Sequence, residues 1–249
     1  MMRFEALSAV WHRARPVAVP APATRARDGA SCRPRGGVGT GARAWRRACK
    51  RLFDIVGAMV LLVLLSPFML WVAWRIRRED GAPVLFEQLR VGRGGAEFRF
   101  FKFRTMVRDA DALLARWPTD QPELYRRYVA HNFKLPDDPR VMAVGRWLRR
   151  SSLDELPQLL NVLRGEMSLV GPRPLLAREL PDYAPEALAC YASVRPGITG
   201  LWQVSGRSRT SFAERAACDL RYVEQWSLAA DLIILLKTWR VVWRRDGAW

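Results

Sequence analysis

Histidine is nearly absent: among 249 residues only His12 and His131 carry an imidazole. Two histidines cannot assemble a multi-histidine metal centre, and a Ser-His-Asp triad would rest on His131 alone. Cysteine is also scarce. Cys32, Cys49, Cys190 and Cys218 show no C-x-x-C spacing. This argues against a zinc ribbon, a thioredoxin-type motif and a disulfide scaffold, and leaves reduced thiols facing a cytoplasm as the expected state. Lysine supplies only four of the 41 basic residues. Genome composition explains such a bias as readily as phosphate chemistry does, so it carries no functional weight alone. Neither a Walker A loop nor a dinucleotide-binding glycine fingerprint is present.

What is abundant is positive charge, and it is uneven. The formal net charge is +17. Residues 1–51 hold 12 basic and 2 acidic residues, against 29 and 22 in the rest of the chain. An anionic partner follows: nucleic acid, a membrane surface or a phosphorylated substrate. Residues 1–44 are rich in Ala, Arg, Gly and Pro without apolar periodicity and read as a disordered basic tail. Their most apolar piece, Val17 to Ala23, is interrupted by Pro20 and Pro22 and is no secretory signal.

Residues 55–74, IVGAMVLLVLLSPFMLWVAW, carry no charge. Twenty helical residues reach about 30 Å, the thickness of a bilayer core. Two features complicate a simple span. Ser66-Pro67 lies within the run, where proline removes a backbone bond. Both flanks are basic as well, with Arg46, Arg47, Lys50 and Arg51 before and Arg75, Arg77 and Arg78 after. Basic flanks favour the cytoplasm. A helix that bends at Ser66-Pro67 and returns to its side of entry satisfies both ends; a straight span is the alternative. In the hairpin, the freed backbone groups need Ser66 or neighbouring protein as partners.

Beyond this run the pattern is α+β, mainly helical with a small β-hairpin. Val84–Val91 and Glu97–Met106 are β-prone runs around Gly92-Arg93-Gly94-Gly95. Helical pieces are expected within 107–133, over 141–150, and through SSLDELPQLLNVLR up to a stop at Gly165. Met167–Gly171 reads as a short strand and 195–209 as a Gly/Ser/Arg-rich loop. Two helices close the chain over 212–225 and 228–245. The last gathers Leu228, Leu232, Leu235, Leu236 and Trp239 near one face, with Lys237 and Arg240 about it, which suits core packing or an interfacial helix.

Three segments could carry chemistry. In Ser152-Leu153-Asp154-Glu155, Ser152 and Glu155 have the spacing of a helix capping box. The same Asp154-Glu155 pair lies among Arg146, Arg149, Arg150 and Arg173, which fits a divalent cation beside a phosphate. Mg²⁺ suits it, since one or two carboxylates plus substrate phosphates suffice. Lys102 and Arg104 alternate with Phe101 and Phe103, either as a solvated strand face or as a phosphate grip. In RPGITGLWQVSGR the glycines permit close approach to a ligand and Arg207 could hold phosphate; a plain surface turn is the alternative.

Taken in order, KRLFDIVGAMVLLVLLSPFML, FKFRTM, DDPRV, RRSSLDELPQLLNVLRGEMSLVGPRP and RPGITGLWQVSGR closely resemble the bacterial sugar transferase family. These are monotopic phosphoglycosyl transferases acting on polyprenyl phosphate, and the resemblance covers roughly residues 46–245. It implies transfer of a hexose 1-phosphate from a UDP-sugar to undecaprenyl phosphate, with release of UMP. It implies Asp154 as nucleophile, forming a phosphosugar-aspartyl intermediate, and Glu155 as a Mg²⁺ ligand. Lys102, Arg149 and Arg173 match cationic positions near the phosphates, to which Arg104 and Arg207 are added as candidates. Ser66-Pro67 matches the break of a re-entrant membrane helix. The implied layout is a basic tail (1–44), a re-entrant helix (45–78) and a catalytic domain (79–249) on the cytoplasmic face of the bacterial inner membrane. Its looks are those of the short, catalytic-domain form serving exopolysaccharide or capsule synthesis. Implied partners are UDP-sugar, undecaprenyl phosphate, membrane lipid and downstream glycosyltransferases. Nucleic acid is not among them, and the oligomeric state is left open, a homodimer included.

Overall fold

The computed structural model of the protein describes residues 40–131, 133, 135–205 and 211–244. Its longest element, α1 (Thr40–Asp80), contains the whole uncharged run. At 1.5 Å per residue it would measure about 60 Å if straight. Among the described residues it is the one helix long and apolar enough to cross a membrane. It starts at Thr40, within the segment read as tail; residues 1–39 lie outside the described part. The chain is helical across Ser66-Pro67 rather than split into two helices there. Pro67 has no N–H to offer the Val63 carbonyl, and the Ser66 hydroxyl donates to that oxygen at 2.9 Å instead. Ser66 is therefore the partner that the freed carbonyl required.

The expected hairpin forms from β1 (Leu85–Val91) and β2 (Glu97–Phe103), antiparallel with Leu85 opposite Phe103 and Val91 opposite Glu97. Helices α2 (Ala110–Asp120) and α3 (Pro122–Ala130) are short. Next come α4 (Ala143–Ser151), one 3₁₀ turn over Leu153–Glu155, and α5 (Gln158–Arg164). Gly165, at φ 85°, ends α5 as its position promised. The capping box that the Ser152–Glu155 spacing allows does not form. Ser152 sits in the left-handed region at φ 56° and its hydroxyl caps nothing, because the chain reverses there to aim the next turn.

Strand β3 (Ser168–Val170) pairs in parallel with β4 (Gly197–Thr199), across α6 (Pro185–Ser193). Then follow α7 (Leu201–Ser205), α8 (Phe212–Glu224) and α9 (Leu228–Arg244). The segment read as a loop over 195–209 thus begins as a strand and a short helix. Glycine makes that pairing possible: a Cβ on Gly197 would meet the Gly171 nitrogen at 2.1 Å. Cys49 and Cys218 are free thiols as expected, but Cys190 is disulfide-bonded.

Two apolar clusters seat α1. Ala58 packs with Phe98, Phe100, Leu159 and Leu169, and Val72 and Ile76 pack with Phe103, Met142 and Leu148. The domain thus holds α1 on both sides of Pro67. On the early side, Arg51 donates to the Val162 and Leu163 carbonyls at the end of α5, at 2.7 and 3.1 Å. Lys50 sits between the buried carboxylates of Asp54 and Asp231, at 2.9 and 2.8 Å. On the late side, Glu79 accepts from the Ala143 and Val144 amides that open α4. Between these anchors Val63, Leu64 and Leu70 stand about 70% exposed.

Candidate active site

The 3₁₀ turn that carries Asp154 and Glu155 is held from below. Leu153 and Leu156 flank the pair in sequence and pack into the Val72–Ile76 cluster. With both neighbours drawn into apolar packing, the two carboxylates are left on the polar side of the turn. Asp154 is buried, and Glu155 is partly exposed.

Lys102 reaches this turn from β2. Its ammonium lies 2.7 Å from Glu155 Oε1 and 3.5 Å from Asp154 Oδ2. The registration of strand against turn depends on Asn161, which is fully buried. Its amide Nδ2 donates to the Arg99 carbonyl at 2.7 Å, and its Oδ1 accepts from the Phe101 amide at 3.2 Å. Both β2 groups are satisfied by one side chain of α5, so strand and dyad move as one piece. Asn161 also donates to Glu166 at 2.7 Å. Nothing in the sequence marks it, since an Asn within a Leu-rich helix has no local signature of this role.

Arg149 approaches from α4. Its Nε donates to Thr105 Oγ1 at 2.9 Å. Gly145 lets α4 come this close: a Cβ there would lie 2.1 Å from the Thr105 carbonyl oxygen. Burial lowers the pKa of Arg149, while the Asp154 charge holds it up. Arg173 stands on the other side, its guanidinium 3.8 Å from Glu155 Oε1. The structure therefore brings together Asp154, Glu155, Lys102, Arg149 and Arg173.

Two predicted residues fall elsewhere. Arg104 is not in the cluster, because β2 ends at Phe103 and the alternation ends with it. The Arg104 guanidinium turns to the exit of α1 instead, pairing with Asp80 and donating to the Gly81 carbonyl at 2.7 Å. We therefore assign it to anchoring rather than to phosphate. Arg207 lies outside the described residues.

A second tier of cations stands behind Arg173. Arg90 is buried and donates to the Pro174 carbonyl at 3.1 Å. Burial, joined by repulsion from Arg173 and Arg215, brings its pKa down to about 10, so it stays charged at neutral pH. Arg215 donates to the Arg173 carbonyl at 3.2 Å, and Glu179 lies 4.0 and 3.9 Å from the two guanidinium groups. Sequence reasoning missed both arginines; each is far from the dyad in sequence, and a lone arginine carries no spacing signal.

Burial raises the pKa of the Asp154 carboxyl, and the Glu155 charge adds to this; Lys102 and Arg149 oppose it. An under-solvated carboxylate steadied by fixed cations is a competent nucleophile toward phosphorus. The surrounding Lys and Arg can also offset the negative charge of a phosphate ester approaching it.

The sequence model of the bacterial sugar transferase family matches residues 45–245, which include every element of this cluster. The chain belongs to that family. Over 203 residues it is 46% identical to the undecaprenyl-phosphate galactose phosphotransferase of Salmonella typhimurium, covering 82% of this chain and 42% of that protein. Over 189 residues it is 48% identical to the exopolysaccharide production protein ExoY of Rhizobium meliloti, covering 76% and 83%. The undecaprenyl-phosphate glucose phosphotransferase of Komagataeibacter xylinus is 39% identical over 214 residues, covering 82% and 37%. The chain thus spans well under half of the two named phosphotransferases and most of ExoY. Within this sugar transferase the matched span holds the membrane-length helix, the dyad and its cations together.

Proposed function

We propose that this sugar transferase moves a hexose 1-phosphate from a UDP-sugar to undecaprenyl phosphate and releases UMP. The carrying observation is Asp154, a buried carboxylate at the centre of Lys102, Arg149 and, through Glu155, Arg173. The printed names of the Salmonella and Komagataeibacter relatives support the acceptor and the class of transfer.

In the first step an Asp154 carboxylate oxygen bonds to the sugar-proximal phosphorus of the donor. The bond from that phosphorus to the bridging oxygen breaks, and UMP leaves with the electron pair. In the second step an oxygen of undecaprenyl phosphate bonds to the same phosphorus, and the Asp154 carboxylate is the leaving group. Dividing the transfer this way means that soluble donor and lipid acceptor need not be bound together. Lys102 and Arg173 offset the charge of the incoming diphosphate, and Arg149 does so from the α4 side.

The donor set fits Mg²⁺. Glu155, next to Asp154, offers hard carboxylate oxygens of the kind Mg²⁺ takes. A diphosphate would complete such a shell, as Mg²⁺ sites commonly require. Glu155 is the residue we assign to holding the ion. When bound, Mg²⁺ would neutralise phosphate charge and polarise a phosphoryl oxygen.

We also read α1 as re-entrant, bending near Ser66-Pro67 within one leaflet, with the catalytic domain on the cytoplasmic face. In a straight helix Arg51 and Ile76 would be about 37 Å apart. Yet Arg51 caps the last carbonyls of α5, while Ile76 shares its cluster with Leu156, just before α5 begins. A seven-residue helix is only about 10 Å long, so a bend relieves the mismatch. Basic residues at both ends favour one side of the membrane. Exposed Leu232, Leu236 and Trp239 on α9, with Lys237 and Arg240 beside them, suit a helix lying in the interface. The product would then serve downstream glycosyltransferases of exopolysaccharide or capsule synthesis, a reading supported by the name of ExoY.

Purified protein with Mg²⁺, undecaprenyl phosphate and a panel of UDP-sugars should release UMP from at least one donor. Asp154→Asn should abolish both turnover and covalent labelling by labelled donor, and Glu155→Gln should be severely impaired at saturating Mg²⁺. Near-normal turnover by Asp154→Asn would overturn the nucleophile assignment. Cysteines placed before Arg47 and after Arg78 should label from the same membrane side; labelling from opposite sides would overturn the re-entrant reading.

A further inference from the structure

Helix α4 presents a second set of cations that the dyad does not use. Arg149 points to Thr105 and Asp154, but Arg146 and Arg150 line a separate cavity of about 240 Å³ together with Ala143, Trp147 and Ser151. Arg146 and Arg150 are exposed, and neither forms an ion pair with an acidic side chain among the described residues. Arg146 is steadied by donating to the Val141 carbonyl at 3.0 Å. Trp147 is the aromatic member of the lining. Trp147 meets Phe68 and Trp71 of α1 edge-on, with ring centroids 5.8 and 5.9 Å apart. Phe68 and Trp71 lie just beyond Ser66-Pro67, on the stretch of α1 that exposes Leu70, Trp71 and Trp74.

A pocket lined by two guanidinium groups without acidic partners and by a half-exposed tryptophan, beside an exposed apolar helix, has the chemistry of the lipid headgroup region. Tryptophan prefers that level, and arginine binds phosphate oxygens there. We propose that the Arg146–Trp147–Arg150 pocket holds the phosphate of an anionic membrane phospholipid, distinct from the acceptor at the dyad. Charge selects the occupant: zwitterionic lipid gives little net attraction, whereas basic residues beside an anionic surface are drawn to it. This inference rests on α1 being membrane-embedded.

The test is co-flotation of the full chain with vesicles of phosphatidylcholine alone or with added phosphatidylglycerol. Wild type should favour the anionic vesicles. Arg146→Gln/Arg150→Gln should weaken binding to anionic vesicles by about tenfold or more and leave binding to neutral vesicles nearly unchanged. A control, Arg126→Gln/Arg127→Gln, removes the same charge from exposed positions on α3. Equal loss in the control would show diffuse attraction and overturn the pocket. In detergent at saturating acceptor the α4 variant should turn over normally. A raised KM for undecaprenyl phosphate would instead make the pocket an acceptor site and overturn the proposal. Failure of wild type to float with either vesicle would defeat the membrane reading itself, whereas flotation without loss in the α4 variant would defeat only this inference.

Discussion

Replacing Lys102 by Met probes the electrostatic core of the site. The ammonium lies 3.5 Å from Asp154 Oδ2 and 2.7 Å from Glu155 Oε1. At an effective dielectric near 20, a unit pair at 3.5 Å is worth roughly 5 kcal/mol. That is an upper bound, because the Lys102 side chain keeps 21% of its exposure and is partly screened. Lys102 also steadies Asp154 before any reaction, and only the excess in the transition state counts toward rate. We expect about 2–4 kcal/mol, equivalent to a fall in kcat of about 30-fold to 1,000-fold. A second readout separates this from simple misfolding. Burial already raises the Asp154 pKa and Lys102 pulls it down, so its loss raises that pKa further. A nucleophilic carboxylate must be deprotonated, so the acid limb of kcat/KM should move to higher pH. Release of UMP from UDP-sugar across a pH series measures both effects. A rate within threefold of wild type with an unmoved acid limb would refute the reasoning.

Other predictions concern the scaffold. Lys50→Met leaves Asp54 and Asp231 buried side by side without a cation, which should cost about 3–5 kcal/mol in denaturant stability; a loss below about 1 kcal/mol would show the triad to be incidental. Asp219 is buried, and its carboxyl is pushed up to about 6 despite Arg215 and the Tyr183 hydroxyl. The folded state therefore keeps a proton that the unfolded chain has released. This contribution is fully present below about pH 4 and is lost as pH rises through 6, leaving a penalty of up to about 3 kcal/mol. Asp219→Asn should accordingly raise the thermal midpoint at pH 7.5 and change it little at pH 4; equal shifts at both would contradict the assignment. Asn161→Leu should leave the Arg99 carbonyl and Phe101 amide unpaired in a buried place, lowering stability by about 2–4 kcal/mol and kcat along with it; thermal midpoints and UMP release check it.

Local signals account for much of what the sequence made legible. Periodicity and glycines placed the β1–β2 hairpin, the end of α5 and the helices after Ser211, because each depends on residues a few positions apart. Asp154-Glu155 was legible as a pair but its local setting was not: a capping box and a 3₁₀ turn share the same four residues, and the left-handed Ser152 decides between them. Arg104 was misplaced because alternation has meaning only while a strand lasts, and β2 stops one residue short of it. Asn161, Arg90 and Arg215 were invisible for a different reason. Each acts on a backbone carbonyl distant in sequence, and the meeting exists only after the chain has folded. The same contacts give the fold its functional sense. Arg51 fastens α1 to the end of α5, Asn161 fastens α5 to β2, and β2 delivers Lys102 to the dyad. The membrane-length helix and the dyad are thus linked through three side chains. Under the proposed function, this linkage would hold the Asp154 carboxylate at one height relative to a membrane-borne acceptor phosphate.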